Sequence, residues 1–186
     1  MAVDRVERRL RRVTAALDAA GIPYAVAGGN AVAAWVGRVD PAATRATKDV
    51  DVVVRVDDLG RVTTTLEGIG FHRENLRGLV LFIDPDEPSR RSGVHLIWSG
   101  QRVRPSYSFA APTTDEAVRD PEGFLVLDLP ALVRMKLTSF RDIDRVHIAD
   151  MLDVGLIGAE VEAALPVELN ARLNELRRSR EQQDEC

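Results

Sequence analysis

Residues 49–56 read DVDVVVRV, a strict alternation with a period of two. Among regular structures only a β-strand repeats at that period. Val50, Val52, Val54 and Val56 take one face, and Asp49, Asp51, Val53 and Arg55 take the other. Four valines on one face need a covering layer, so this strand must lie in a sheet packed by other elements. The opposite face carries two carboxylates one pleat apart, which repel unless water or a cation stands between them. A solvated surface pair is one reading and a cation site is the other. Mg2+ is commonly held by one or two carboxylates together with substrate phosphates.

The flanking segments supply the layers. Val3, Val6, Leu10, Val13 and Leu17 step by three and four, which predicts an amphipathic helix over residues 3–20, stopped by Gly21 and Pro23. Arg5, Arg8, Arg9, Arg11 and Arg12 fall mostly off that stripe and read as a solvated face. Residues 24–27 form a short apolar run, expected as a buried strand. Gly28-Gly29 follows, then a small-residue helix with Asn30 as its N-cap. Residues 38–48 are polar, contain Pro41 and read as a loop. Asp57-Asp58 is expected to cap a helix running to about Glu67, and further strands are expected over residues 78–84, 93–98 and 124–127. From Leu129 onward the pattern is helical. The expectation is an α/β (α+β) fold: a mixed sheet flanked by helices over residues 1–128, a helical part over 129–180 and a fraying tail over 181–186.

Composition narrows the function classes. At 186 residues, 45% hydrophobic and 29% charged, the chain can bury a core of ordinary size. Its only cysteine is Cys186, so no internal disulfide is available. A net charge of -4 disfavours a general polyanion coat but leaves room for a local phosphate site. No apolar run approaches the ~20 residues that span a bilayer. The first residues, MAVDRVERRLRRV, are too charged for a signal peptide, so a cytoplasmic protein without a membrane partner is expected.

Glycine at Gly28-Gly29 lets backbone N–H groups approach a ligand, and a helix N-terminus favours phosphate. The order of strand, Gly-Gly, short helix, loop with Arg45 and Thr47, and acidic pair is the informative feature. In AVAGGNAVAAW and TKDVDVVV it resembles the nucleotidyltransferase superfamily, the fold of DNA polymerase β and its minimal relatives. The resemblance implies that Gly28 and Gly29 hold a triphosphate, that Asp49 and Asp51 bind Mg2+ (or Mn2+), and that Asn30 and Thr47 support them. Residues 127–157 further resemble the helical region of the AbiEii-type toxins. That likeness implies a phosphate contact for Lys136 and a catalytic aspartate at Asp150, with Arg141, Asp144 and Arg145 as alternatives in register. An NTP would be the donor, and the acceptor stays open among an RNA end such as tRNA, a protein side chain and a small-molecule hydroxyl. A toxin role would add an antitoxin partner.

One departure from the superfamily pattern stands out. A third carboxylate usually comes from a later strand, and the strand GVHLIW presents His95 there. Imidazole can ligate a metal or take a proton near neutral pH. His95 as base, Asp150 as compensating acid, and a nucleotide- or partner-binding domain without turnover are the readings this leaves, beside a merely structural histidine. His147, three residues from both Asp144 and Asp150, reads as a surface histidine.

Overall fold

The computed structural model describes residues 2–76 and 78–184. Its sheet has seven strands in the order β3-β4-β5-β2-β1-β7-β6. They are β1 (Tyr24–Ala27), β2 (Val50–Val54), β3 (His72–Leu76), β4 (Leu79–Ile83), β5 (Val94–Trp98), β6 (Ala117–Arg119) and β7 (Leu125–Leu127). The helices are α1 (Ala2–Ala19), α2 (Gly28–Gly37), α3 (Leu59–Gly68), α4 (Leu129–Ser139), α5 (Asp142–Asp153), α6 (Ala159–Ala163) and α7 (Val167–Asp184). This is the mixed α/β architecture that the alternation and the flanking periodicities predict.

Central β2 runs antiparallel to β1 and parallel to β5. It is a middle strand, so Val53 on the carboxylate face is as fully buried as Val50, Val52 and Val54. Val6, Leu10, Val13 and Leu17 of α1 enter the core as the stripe predicts; the side chain of Val3 and the terminal Cys186 lie outside the described residues. The arginine face of α1 is not uniformly solvated. Arg9 is only 1% exposed, because its guanidinium meets Asp84 (3.1 Å), Glu87 (2.8 Å) and the Lys48 carbonyl (3.1 Å). A helical wheel shows which residues leave the apolar stripe, but not that acids from the segment after β4 wait beside them.

Two short strands, β3 and β6, escape the sequence pattern. β3 reads HRENL and lies at the sheet edge with little apolar content, so no alternation marks it. β6 is three residues on the opposite edge. Helix α2 begins three residues earlier than expected, at Gly28, with Ala27 and not Asn30 as N-cap, so Asn30 lies inside the first turn. Asp58 does precede α3, but its carboxylate pairs with Arg55 and Arg61 instead of capping the helix. α7 continues as helix to Asp184, into the segment expected to fray. Among the described residues no helix is long and apolar enough to cross a membrane.

Helix α2 is anchored against the sheet at its far end. Trp35 Nε1 donates to the Leu127 carbonyl at 2.9 Å, and Arg38 pairs with Asp120 while lying over the Trp35 ring. Its near end is thereby held at the carboxyl end of β1, directly beside β2.

Candidate active site

The register of the sheet assembles the site. Asp51 is paired with Ala27 on antiparallel β1 and with His95 on parallel β5. Residues paired across adjacent strands project to the same face, so Asp51 and His95 are side by side. Asp49, one pleat earlier, joins them. Among the described residues, Asp49, Asp51 and His95 form the one cluster of three such ligands whose donor atoms all lie within 4.8 Å of one another. His95 Nδ1 is 3.5 Å from Asp51 Oδ1 and 3.6 Å from Asp49 Oδ2.

The other ring nitrogen fixes the tautomer. His95 Nε2 lies 3.0 Å from the Arg90 carbonyl, which can only accept, so Nε2 carries the proton. A neutral His95 therefore turns the Nδ1 lone pair toward two carboxylates. Three electron-rich donors facing one another repel unless water, a proton on Nδ1 or a metal ion stands among them. Asp51 above all, helped by the Arg90 carbonyl and Asp49, holds the imidazole above its ordinary pKa against the opposing effect of burial. The donor set fits a divalent cation: ligands about 2.1 Å from a common ion stand about 3.0 Å apart at right angles and about 3.4 Å apart in a tetrahedron. The two separations from His95 Nδ1, 3.5 and 3.6 Å, lie just beyond that range.

Glycine makes the close approach possible. Gly28 has φ +63, and a Cβ there would stand 2.0 Å from Asp51 Oδ2. A Cβ on Gly29 would meet Thr47 Oγ1 at 2.9 Å. Thr47 in turn donates to Asp49 Oδ1 at 3.0 Å, and Asn30 Nδ2 donates to the Asp49 carbonyl at 2.6 Å. The two supporting residues thus orient Asp49 from its side chain and from its backbone. The N-terminus of α2 adds backbone N–H groups that the Ala27 side chain cannot satisfy, beside the carboxylates.

Lys136 and Asp150 belong to a neighbouring network. Lys136 is 4% exposed, and its ammonium donates to Asp144 Oδ1 at 3.1 Å. Asp144 is fully buried and also accepts from Ser139 and Arg141. Arg141, helped by the other donors, outweighs burial and holds the Asp144 carboxyl down at about 2. Asp150 accepts from Arg45 Nε at 2.6 Å, which ties α5 to the loop before β2. Lys136 and Asp150 thus have side-chain partners outside the Asp49–Asp51–His95 trio.

Two further residues complete the surroundings. His147 is buried rather than superficial, because α5 turns this face toward α2; its ring lies against Gly29 and its Nδ1 has no hydrogen-bond partner. Burial, with the Lys136 charge, pushes its pKa down to about 4. Arg141 is the cation that sequence reasoning named only as an alternative in register. Its pKa is raised by Asp144 first, with Tyr107 and Asp51 adding to the field, so it stands within electrostatic reach of the site. The turn that places it is the left-handed Phe140 (φ 48), a feature without a sequence signal because the residue is not glycine.

No protein-family model matches the chain, and no curated protein matches its sequence. Solved structures do. The antigenic nucleotidyltransferase-like protein from Paracoccidioides brasiliensis aligns with TM-score 0.64 at 20% identity, covering 100% of this chain and 93% of that one. The antibiotic-resistance factor ANT(2'')-Ia in solution aligns with TM-score 0.60 at 21% identity, over 100% of this chain and 99% of that one. The crystal structure of ANT(2'')-Ia in complex with adenylyl-2''-tobramycin gives TM-score 0.59 at 18% identity, over 92% and 98%. At these identities the likeness concerns backbone architecture, and by that measure the chain has the nucleotidyltransferase fold, spanning almost the whole of each of these neighbours.

Proposed function

We propose that this protein is a metal-dependent nucleotidyltransferase that moves an NMP from an NTP to an acceptor hydroxyl. The observation that carries the reading is the convergence of Asp49, Asp51 and His95 at the N-terminus of α2, across a glycine that only a side-chain-free residue could occupy. Asp49, Asp51 and His95 would hold the cation. Bound there, it supplies positive charge against the phosphates and the departing pyrophosphate. Gly28 and Gly29 leave room for phosphate oxygens at the backbone N–H groups that open α2. Arg141 adds a positive field toward Asp51 and the phosphates. The acceptor oxygen forms its bond to the α-phosphorus as the bond to the β-phosphate oxygen breaks. The hydroxyl proton leaves to water at the open side of the site, where Asp49 is the more exposed of the two carboxylates, 36% against 24%.

A small-molecule hydroxyl is the acceptor that the features favour. Net charge is -4, and Arg90, beside the site strand, is already paired with Glu74. The neighbour ANT(2'')-Ia in complex with adenylyl-2''-tobramycin supports the same choice. An RNA end, with an antitoxin as regulator, is the acceptor that the AbiEii-like helices would bring instead. A second reading, nucleotide binding without turnover, draws on His95 standing where a third carboxylate is usual.

A thermal-shift titration with each NTP, with and without Mg2+ or Mn2+, tests the reading on wild type and Asp49→Asn. A metal-dependent rise in melting point that the variant loses is expected. Transfer of α-phosphorus label to hydroxyl compounds or RNA then separates the acceptors, and binding without transfer selects the second reading. No shift with any nucleotide would overturn both.

A further inference from the structure

We propose that the Asp49–Asp51–His95 cradle selects a transition-metal cation of the Mn2+, Co2+ or Zn2+ kind over Mg2+, and that His95 sets this preference. The inference rests on the cation-dependent reading above and goes further by naming the class of ion. Mg2+ is a hard cation bound by charge and oxygen, and it sheds water reluctantly. Imidazole nitrogen suits the borderline first-row ions. At the position paired with Asp51 the sheet supplies a nitrogen donor in place of a third anion. The cradle thus offers two negative charges where three carboxylates would offer three.

Two observations make His95 a directed donor and not a bystander. Its Nδ1 points between the two carboxylates, at 3.5 and 3.6 Å. The Arg90 carbonyl holds the Nε2 proton at 3.0 Å, which keeps Nδ1 as the free lone pair of the neutral ring. A metal-binding histidine is commonly fixed by just such a carbonyl on its other nitrogen.

The test is isothermal titration of the full chain with Mg2+ and with Mn2+ at fixed pH, beside His95→Asp and Asp51→Asn. Pulsed electron paramagnetic resonance of the bound Mn2+ accompanies it. Wild type is expected to bind Mn2+ at least tenfold more tightly than Mg2+ and to show nitrogen coupling to the bound Mn2+. His95→Asp is expected to lose that coupling and to lower the Mn2+/Mg2+ ratio at least fivefold. Equal affinities, or bound Mn2+ without nitrogen coupling in wild type, would overturn the inference while leaving the cation site intact, provided that Asp51→Asn abolishes binding. The resonance result stands on wild type alone, so it decides the matter even if His95→Asp does not fold. No binding of either ion, with or without NTP, would overturn the cation-dependent reading itself.

Discussion

The substitution Asp144→Asn should cost this protein several kcal/mol while leaving its shape almost unchanged. The carboxylate has no exposed surface and accepts from Lys136 Nζ (3.1 Å), Ser139 Oγ (2.7 Å) and Arg141 Nε (2.8 Å). Lys136 is itself buried, so Asp144→Asn would leave its ammonium without a counter-charge. Breaking a buried pair by removing one partner costs about 3–5 kcal/mol. Lys136→Met is the milder change, because Asp144 keeps Arg141 and Ser139; loss of one hydrogen bond to a charged group costs about 1.5–3 kcal/mol. In Lys136→Met/Asp144→Asn the stranded ammonium is gone, so the double variant should be more stable than the sum of the singles implies. The pH dependence has a definite sign. Arg141, above all, depresses the folded Asp144 pKa to about 2 from the ordinary 3.8. That shift corresponds to about 2 kcal/mol of stability. It is present above the unfolded value and lost as pH falls through the folded one, so the gap between wild type and Asp144→Asn should narrow between about pH 4 and pH 2. Urea unfolding of the four proteins at pH 7, with wild type and Asp144→Asn repeated toward pH 2, measures all of this. An Asp144→Asn cost below about 1 kcal/mol, or strict additivity, would refute the reasoning. If Lys136 instead serves the phosphates, Lys136→Met will lose nucleotide affinity at unchanged stability.

Gly28→Ala should destabilise by about 1–2 kcal/mol from its left-handed backbone alone. It should also weaken cation binding, since its Cβ would overlap Asp51 Oδ2; Gly29→Ala, with no positive φ, should be milder in both denaturation and cation titration. Arg9→Met should cost about 3 kcal/mol in urea unfolding, because it removes a guanidinium from Glu87 and from the buried Asp84, which keeps Arg12 and the Asp86 backbone N–H. His147 has a folded pKa depressed by burial to about 4, so only the unfolded chain binds its proton between pH 6.5 and pH 4. The His147 contribution to stability should therefore fall by about 3 kcal/mol as pH drops through that window and level off below it. His147→Gln should flatten that limb in denaturation curves taken at each pH.

The parts of this fold that could be read from the chain are those whose signal is local. The β2 alternation, the α1 stripe and the glycine turn each declare themselves within a few residues, and the structure keeps them nearly as read. What the chain does not declare is partnership across distance. Nothing in the sequence near Arg9 says that Asp84 and Glu87 will neutralise it, 75 and 78 residues away. The same limit divides the site. Asp49 and Asp51 are visible as a pair because one strand holds both, and Thr47 and Asn30 because the glycine-turn resemblance names them. Lys136 reads as a free phosphate ligand only while Asp144, eight residues on, is not seen to fold back over it.

His95 is the instructive case, because its meaning comes entirely from register. The segment GVHLIW is apolar apart from one histidine, and on its own that residue reads equally as core or as ligand. Parallel pairing of β5 with β2 sets His95 opposite Asp51, and a shift of one residue would have turned the ring to the other face of the sheet. Register in turn follows from burying Val94 and Leu96 on the face away from the carboxylates, together with Val50 and Val52. The hydrophobic demand of one face therefore delivers the imidazole to the other. The Arg90 carbonyl then decides which nitrogen it presents, and that choice, not the mere presence of histidine, aims an imidazole lone pair at the two carboxylates.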